Sequence, residues 1–222
     1  MRKTSLALLA VVACVLSVVA VVPPAASRTR PAESDTHRLQ RYAASTWRSF
    51  THMVDTSSGL PTDQLFADGH TDVQTSTTNI GAYLWSAVAA ERLGLLTHHR
   101  LVERLTATMG TLEHMERHEP DGQFYNWYDH RDGTKLTTDP ATGDSRDPIL
   151  SSVDNAWLAT GLKIVRTAVP ELSARAGAIY DSMDFGFYYR PDVNRILFNY
   201  SPAQGTGPCC YDTVVSESRI AD

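Results

Sequence analysis

Apolar positions recur at helical spacing in five segments of this chain, and the segments are of two kinds. Three carry a single apolar stripe. The first has Leu39, Tyr42, Ala43, Trp47, Phe50 and Val54; the second Leu101, Val102, Leu105, Met109, Leu112 and Met115; the third Leu172, Ala176, Ile179, Tyr180 and Met183. A stripe of that period predicts a helix with one face inward and one in water. The other two are apolar nearly all round. "NIGAYLWSAVAAERLG" has only Ser86 as a small polar residue between Ile80 and Ala90, and "DNAWLATGLKIV" is similar from Ala156 to Leu162. A helix without a polar face is expected to be covered on every side. The predicted order is outer, inner, outer, inner, outer.

The connections add a second regularity. Inner-to-outer links are short, at Gly94–Thr97 and at Pro170, a residue suited to open a helix. Outer-to-inner links are long: Asp55–Thr78, His118–Ser151 and Asp184–Asp212. The long loops therefore gather at one end, where the inner helices begin, and long loops in compact domains carry function. The last contains "FGFYYRPDVNRILFNY", which reads as a β-hairpin turning at Pro191–Asn194. This arrangement predicts an all-α fold, an α/α toroid, with an irregular helical bundle as the alternative that pattern leaves open. "YDTVVSESRIAD" falls where a third inner helix is expected, so only about half the ring is predicted. Its uncovered apolar helices would make residues 28–222 alone aggregate, dimerise or fold poorly.

The N-terminus has its own pattern. Arg2 and Lys3 precede an apolar run from Leu6 to Val22, followed by two prolines and the small residues Ala25, Ala26 and Ser27. That layout predicts a secretory signal over residues 1–27, with residues 28–222 as the mature domain, secreted or in the cell envelope. An uncleaved membrane anchor and a lipoprotein site at Cys14 are the alternatives. Losing Arg2 and Lys3 takes the formal charge from −5 to −7. A mildly acidic surface argues against nucleic acid as the main partner. After Cys14, only the adjacent Cys209 and Cys210 remain, as a vicinal disulfide or as small core residues. No zinc-ligand spacing, phosphate loop or dinucleotide fingerprint is present, and the histidines, among them His118 and His130, read as surface residues. No cofactor is expected. A calcium loop at Asp139, Asp144 and Asp147 is the weaker reading of a solvated acidic turn.

Candidate chemistry lies where the inner helices begin, in "TSTTN" (75–79), "SSVDN" (151–155) and "YDTVVSESR" (211–219). Thr77, Thr78 and Ser152 read as helix caps. Asp154, next to Trp157, is expected to be partly desolvated. Glu217, flanked by Val214, Val215 and Ile220, is expected in an apolar wall, where burial raises a carboxyl pKa as a general acid requires; an ion pair with Arg219 for packing is the alternative. Asp212 and Arg219 border the same mouth as Trp157 and are further candidates for substrate contact. In "GQFYNWYDHRDG", flat aromatics beside amide and carboxylate groups suit sugar recognition, and Asn126, Trp127 and Asp129 are the candidates. Some of these aromatics are expected only to pin the loop.

"TSTTNIGAYLWSAVAAERLGLL", "LEHMERHEPDGQFYNWYD", "SSVDNAWLATGL" and "YDTVVSESRIA" together resemble the glycoamylase-like proteins of bacteria, which include endo-β-1,2-glucanases and a domain of cyclic β-1,2-glucan synthases. The match runs from Thr75 to Ala221, with Thr77 in place of the usual proline and Ser218 in place of alanine. The resemblance implies an (α/α)6 barrel and hydrolysis or transfer of glucosidic bonds, with an oligo- or polysaccharide as partner. Glu217 then matches the glutamate of the SE motif, a general acid; Asp154 an acidic position lining the sugar cleft; Asn126, Trp127 and Asp129 the NWYD segment at its rim. The family carries a large C-terminal part after the SE motif. A glycosidase needs two carboxyl roles, and the second is not assigned by the resemblance.

Overall fold

The structure, a computed structural model, describes residues 34–211 and 217–220. The signal expected over residues 1–27 lies outside them. Five α-helices make up most of the described chain: α1 (Asp35–Met53), α2 (Thr77–Arg92), α3 (His98–Leu112), α4 (Ser152–Ala168) and α5 (Ser173–Asp181). They correspond to the five periodic segments. None is long and apolar enough to cross a membrane.

The stripes of α3 and α5 are buried as expected. Leu101, Leu105, Met109 and Leu112 face the core from α3, and Ala176 and Ile179 from α5. The stripe of α1 behaves differently. Trp47 is buried and stacks on Tyr83 of α2 with ring centroids 6.3 Å apart, but Leu39 and Tyr42 are 65% and 53% exposed. Among the described residues, only the C-terminal half of α1 reaches the core, so periodicity overstated the buried length.

The two inner helices pack against each other at glycines. A Cβ on Gly81 would stand 2.2 Å from the Trp157 carbonyl oxygen, and one on Gly161 would stand 2.6 Å from the Gly81 carbonyl oxygen. Backbone meets backbone there, which only glycine allows. The inner helices are not covered all round, however. Trp85 is 48% exposed and stacks on Trp157 at 6.1 Å along one shared face.

The long loops are not without strand structure. β1 (Gln74–Ser76) pairs antiparallel with β2 (Trp127–Asp129), Ser76 opposite Trp127, which ties the first long loop to the second. β3 (Leu150–Ser151) pairs with β6 (Asn199–Ser201), which pairs with β7 (Gly205–Thr206), tying the second loop to the third. The expected hairpin is present as β4 (Tyr189–Arg190) and β5 (Arg195–Ile196), turning through residues 191–194. The aromatic run ahead of it, Phe185–Tyr188, is a 3-10 helix. Cys209 and Cys210 are joined as a vicinal disulfide, and Cys209 is exposed, so they are not core residues.

Asn155 holds these pieces together. Its fully buried amide accepts from Phe124 N at 2.9 Å and donates to the Phe124 and Ser151 carbonyls at 2.9 and 3.0 Å. A buried side chain amide used on both its ends fixes the second loop against the start of α4.

Candidate functional site

The starts of the two inner helices lie side by side. Each is capped by the serine one residue before its first turn: Ser76 Oγ accepts from Asn79 N, and Ser151 Oγ accepts from Asp154 N, both at 3.3 Å. Thr77, Thr78 and Ser152 were expected as caps and are not. They lie inside the helices, whereas a cap needs the extended backbone that Ser76 and Ser151 adopt. The side chains of Thr78 and Ser152 are thereby released for other work. Ser152 Oγ donates to the Leu197 carbonyl at 2.7 Å, fixing the third loop. Thr78 Oγ1 donates to Asp154 Oδ1 at 2.5 Å, linking the two inner helices directly.

Asp154 and Trp157 are three residues apart on α4 and therefore on one face, about 5–6 Å apart at Cβ. The Trp157 indole Nε1–H donates to Glu217 Oε2 at 3.3 Å. Asp154, Trp157 and Glu217 are thus brought together, with Thr78 behind Asp154 and Trp85 beside Trp157. Glu217 opens a 3-10 turn, Glu217–Ile220, and its side chain is exposed. The apolar wall expected around it is not seen among the described residues; Val214 and Val215 lie outside them, as does Asp212. The Arg219 side chain is likewise outside the described set. No partner other than Thr78 is bonded to the Asp154 carboxylate among the described residues.

The second loop supplies the next layer. Trp127 is half-buried under the Arg146 guanidinium, 4.5 Å from its ring centre. Asn126 is buried with Oδ1 unpartnered. Asp129 is not brought to this cluster by any bond. Burial works against its ionised form, but bonds from the Arg131 side chain and backbone outweigh that and hold the carboxyl below its usual range. It closes its own turn. Phe124 and Tyr128 are fully buried, with the Tyr128 hydroxyl donating to the Glu116 carbonyl at 2.7 Å, so these aromatics do pin the loop.

Four residues near the site had no sequence signal of their own: Asp63, Gln74, Trp85 and Arg146. Asp63 sits in a polar loop with no periodicity. Its Oδ1 accepts from Asn79 Nδ2 at 2.6 Å and its Oδ2 from Gln74 Nε2 at 2.8 Å. Burial raises the pKa of Asp63, against these bonds and those from Ser76. Gln74 Oε1 in turn accepts from Arg146, which also pairs with Asp139.

That use of Asp139, together with its bonds from Ala141 N and Thr142 N, makes the acidic loop a closed turn. Asp147 is engaged separately by Ser201 and Gln204. Among the described residues no three His, Cys, Asp or Glu side chains are grouped to hold a metal ion. His118 and His130 were expected at the surface. Instead His118 bonds Asp121 at 2.6 Å, and His130 is buried against the Val73 carbonyl at 2.8 Å.

Residues 41–189 match the family model described as "Protein of unknown function (DUF3131)". A curated relative, the cyclic β-(1,2)-glucan synthase NdvB of Rhizobium meliloti (strain 1021), is 32% identical over 100 residues, 43% of this chain and 3% of that protein. Among solved structures, the endo-β-1,2-glucanase of Chitinophaga pinensis, in complex with sophorotriose and glucose, superposes with a TM-score of 0.63 at 17% identity. That match covers 78% of this chain and 42% of the glucanase. A candidate glucoamylase of Bacteroides caccae ATCC 43185 gives 0.64 at 18% identity, over 78% and 43% of the two chains. At such identities the likeness establishes the fold. These relatives agree with the resemblance read from the four motifs, and the chain spans less than half the length of each.

Proposed function

The chain belongs to the DUF3131 family, and from its site we propose that it works as part of a glucan-acting glycoside hydrolase. The observation that carries this reading is the meeting of Asp154, Trp157 and Glu217 at the paired starts of α2 and α4. The glucanase and glucan synthase among its relatives support β-1,2-linked glucose as the substrate class. The alternation of inner and outer helices supports placing the chain in an (α/α)6 barrel. The pattern of residues 1–27 supports export to the cell envelope or beyond.

In this reading Glu217 protonates the departing glycosidic oxygen, with the Trp157 N–H setting the orientation of its carboxyl group. Asp154, held at one oxygen by Thr78, keeps the other for the opposite side of the sugar, as water-activating base or as stabiliser of the positive charge that develops on the ring. Trp127 and Trp157 provide flat faces against which pyranose rings pack.

A second reading, glycan binding without hydrolysis, draws on the aromatic faces of Trp127 and Trp157, which can hold sugar rings without acid or base. One experiment separates the two. The full chain is incubated with linear β-1,2-glucan, and with β-1,3- and α-linked glucans as controls, while reducing ends and sophorotriose binding are measured. Hydrolysis of the β-1,2 polymer, lost at least ~10³-fold in Glu217→Gln with binding kept, supports the hydrolase. Binding with no turnover selects the second reading. Neither binding nor turnover on any glucan sinks both.

A further inference from the structure

We propose that Asp63 is the positioning residue of this rim: its carboxylate sets the orientation of two amides, Asn79 and Gln74, and through them the sugar-binding surface. The inference rests on the glucan reading above for its ligand, though not for its geometry.

Asp63 is itself firmly placed. Its N–H donates to the Gln74 carbonyl at 2.8 Å, and neighbouring Thr62, fully buried, is tied through its N–H to the Met53 carbonyl at 2.9 Å and through its hydroxyl to the Asp72 carbonyl at 2.7 Å. Both carboxylate oxygens are occupied by side-chain amides. A carboxylate only accepts, so each amide must turn its NH2 group to Asp63 and its carbonyl oxygen away. For Gln74 that places Oε1 on Arg146, and Arg146 lies over the face of Trp127. For Asn79 it leaves Oδ1 without a partner among the described residues, one position along α2 from the Thr78 that holds Asp154. One half-buried carboxylate thereby governs both a free acceptor in the first turn of α2 and the seat of an aromatic platform. The Asn79 carbonyl is assigned to a glucosyl hydroxyl, and Trp127 to the ring of the same or an adjoining unit.

This division of labour also separates Asp63 from Asp154. Both oxygens of Asp63 accept from side-chain amides, whereas Asp154 Oδ2 has no partner among the described residues.

The test uses the full chain and Asp63→Asn, which keeps the shape but puts a donor against one of the two amides. Without ligand, the side-chain NH2 resonances of Asn79 and Gln74 and the indole resonance of Trp127 are expected to shift. Spectra like those of the unaltered chain would overturn the proposal. With sophorotriose as probe, Asp63→Asn is expected to bind about tenfold more weakly, the loss appearing in KM while kcat stays within about twofold. Unchanged affinity would also overturn it. Should Asp63→Asn not fold, Gln74→Met and Asn79→Ala cut the two branches singly. Each is expected to weaken sophorotriose about three- to tenfold, and no weakening by either rejects the proposal. If the unaltered chain binds no glucan, the functional reading fails, and the ligand-free resonances alone decide whether Asp63 positions the amides.

Discussion

Thr78 and Asp154 are joined by a 2.5 Å hydrogen bond that crosses from the first turn of one inner helix to the first turn of the other. The bond does two things at once. It fastens α2 to α4 near their starts, and it engages one oxygen of a carboxylate on the same face of α4 as Trp157.

Thr78→Val keeps the branched shape and removes the donor. A hydrogen bond to a carboxylate is worth about 1.5–3 kcal/mol, so the loss of stability is expected near the lower figure at this half-buried position. Denaturant unfolding at neutral pH measures it. Turnover should fall as well, and a variant with full activity and full stability would show that the contact is incidental.

The glycine crossing makes a sharper stability prediction. Gly81→Ala drives a methyl group into the Trp157 carbonyl, a backbone group that cannot swing away, and is expected to cost on the order of 3 kcal/mol. Gly110→Ala on α3 is the contrast. Its new Cβ meets only the Arg175 side chain at 3.6 Å, so the helix should gain roughly 0.5–1 kcal/mol. Melting temperatures of the two variants should move in opposite directions.

Acid should reveal the Asp129 turn. Its folded pKa lies below the unfolded value, so its contribution is present above about pH 4 and is lost as pH falls through the lower folded value. Arg131→Met removes the side-chain bonds and leaves the backbone one. It should lower the melting temperature at pH 7, and the difference from the unaltered chain should close as the pH falls below the folded value. A gap that persists in strong acid would mean that Arg131 acts through packing.

Trp157→Phe removes the indole donor to Glu217 while keeping an aromatic ring against Trp85. Glucan turnover is expected to drop about tenfold through misorientation of the acid, with sophorotriose affinity changed less. An equal loss in binding and rate would assign Trp157 to the sugar alone.

Local periodicity was enough to place five helices and the long loops between them, because burial along a helix repeats with the turn and is written in adjacent residues. The motif "SSVDN" likewise pointed to Asp154, and "SES" to Glu217. What local pattern could not supply was everything that depends on a partner far along the chain. Leu39 and Tyr42 satisfy the stripe of α1 yet stay largely exposed, since period says which face is apolar and not what covers it. Nothing in the motif around Asp129 says that its carboxylate pairs with Arg131. Thr78 looked like a cap until Asp154, 76 positions later, was seen to claim its hydroxyl. Asp63 carried no signal at all. The role proposed for it depends on Gln74 and Asn79, 11 and 16 positions later, meeting at its carboxylate, and on Arg146 joining Gln74 to Trp127. Hydrogen bonds at a site are short-ranged in space and unconstrained in sequence, and so the chain's pattern located the rim while tertiary contacts chose which of its polar groups remain available for chemistry.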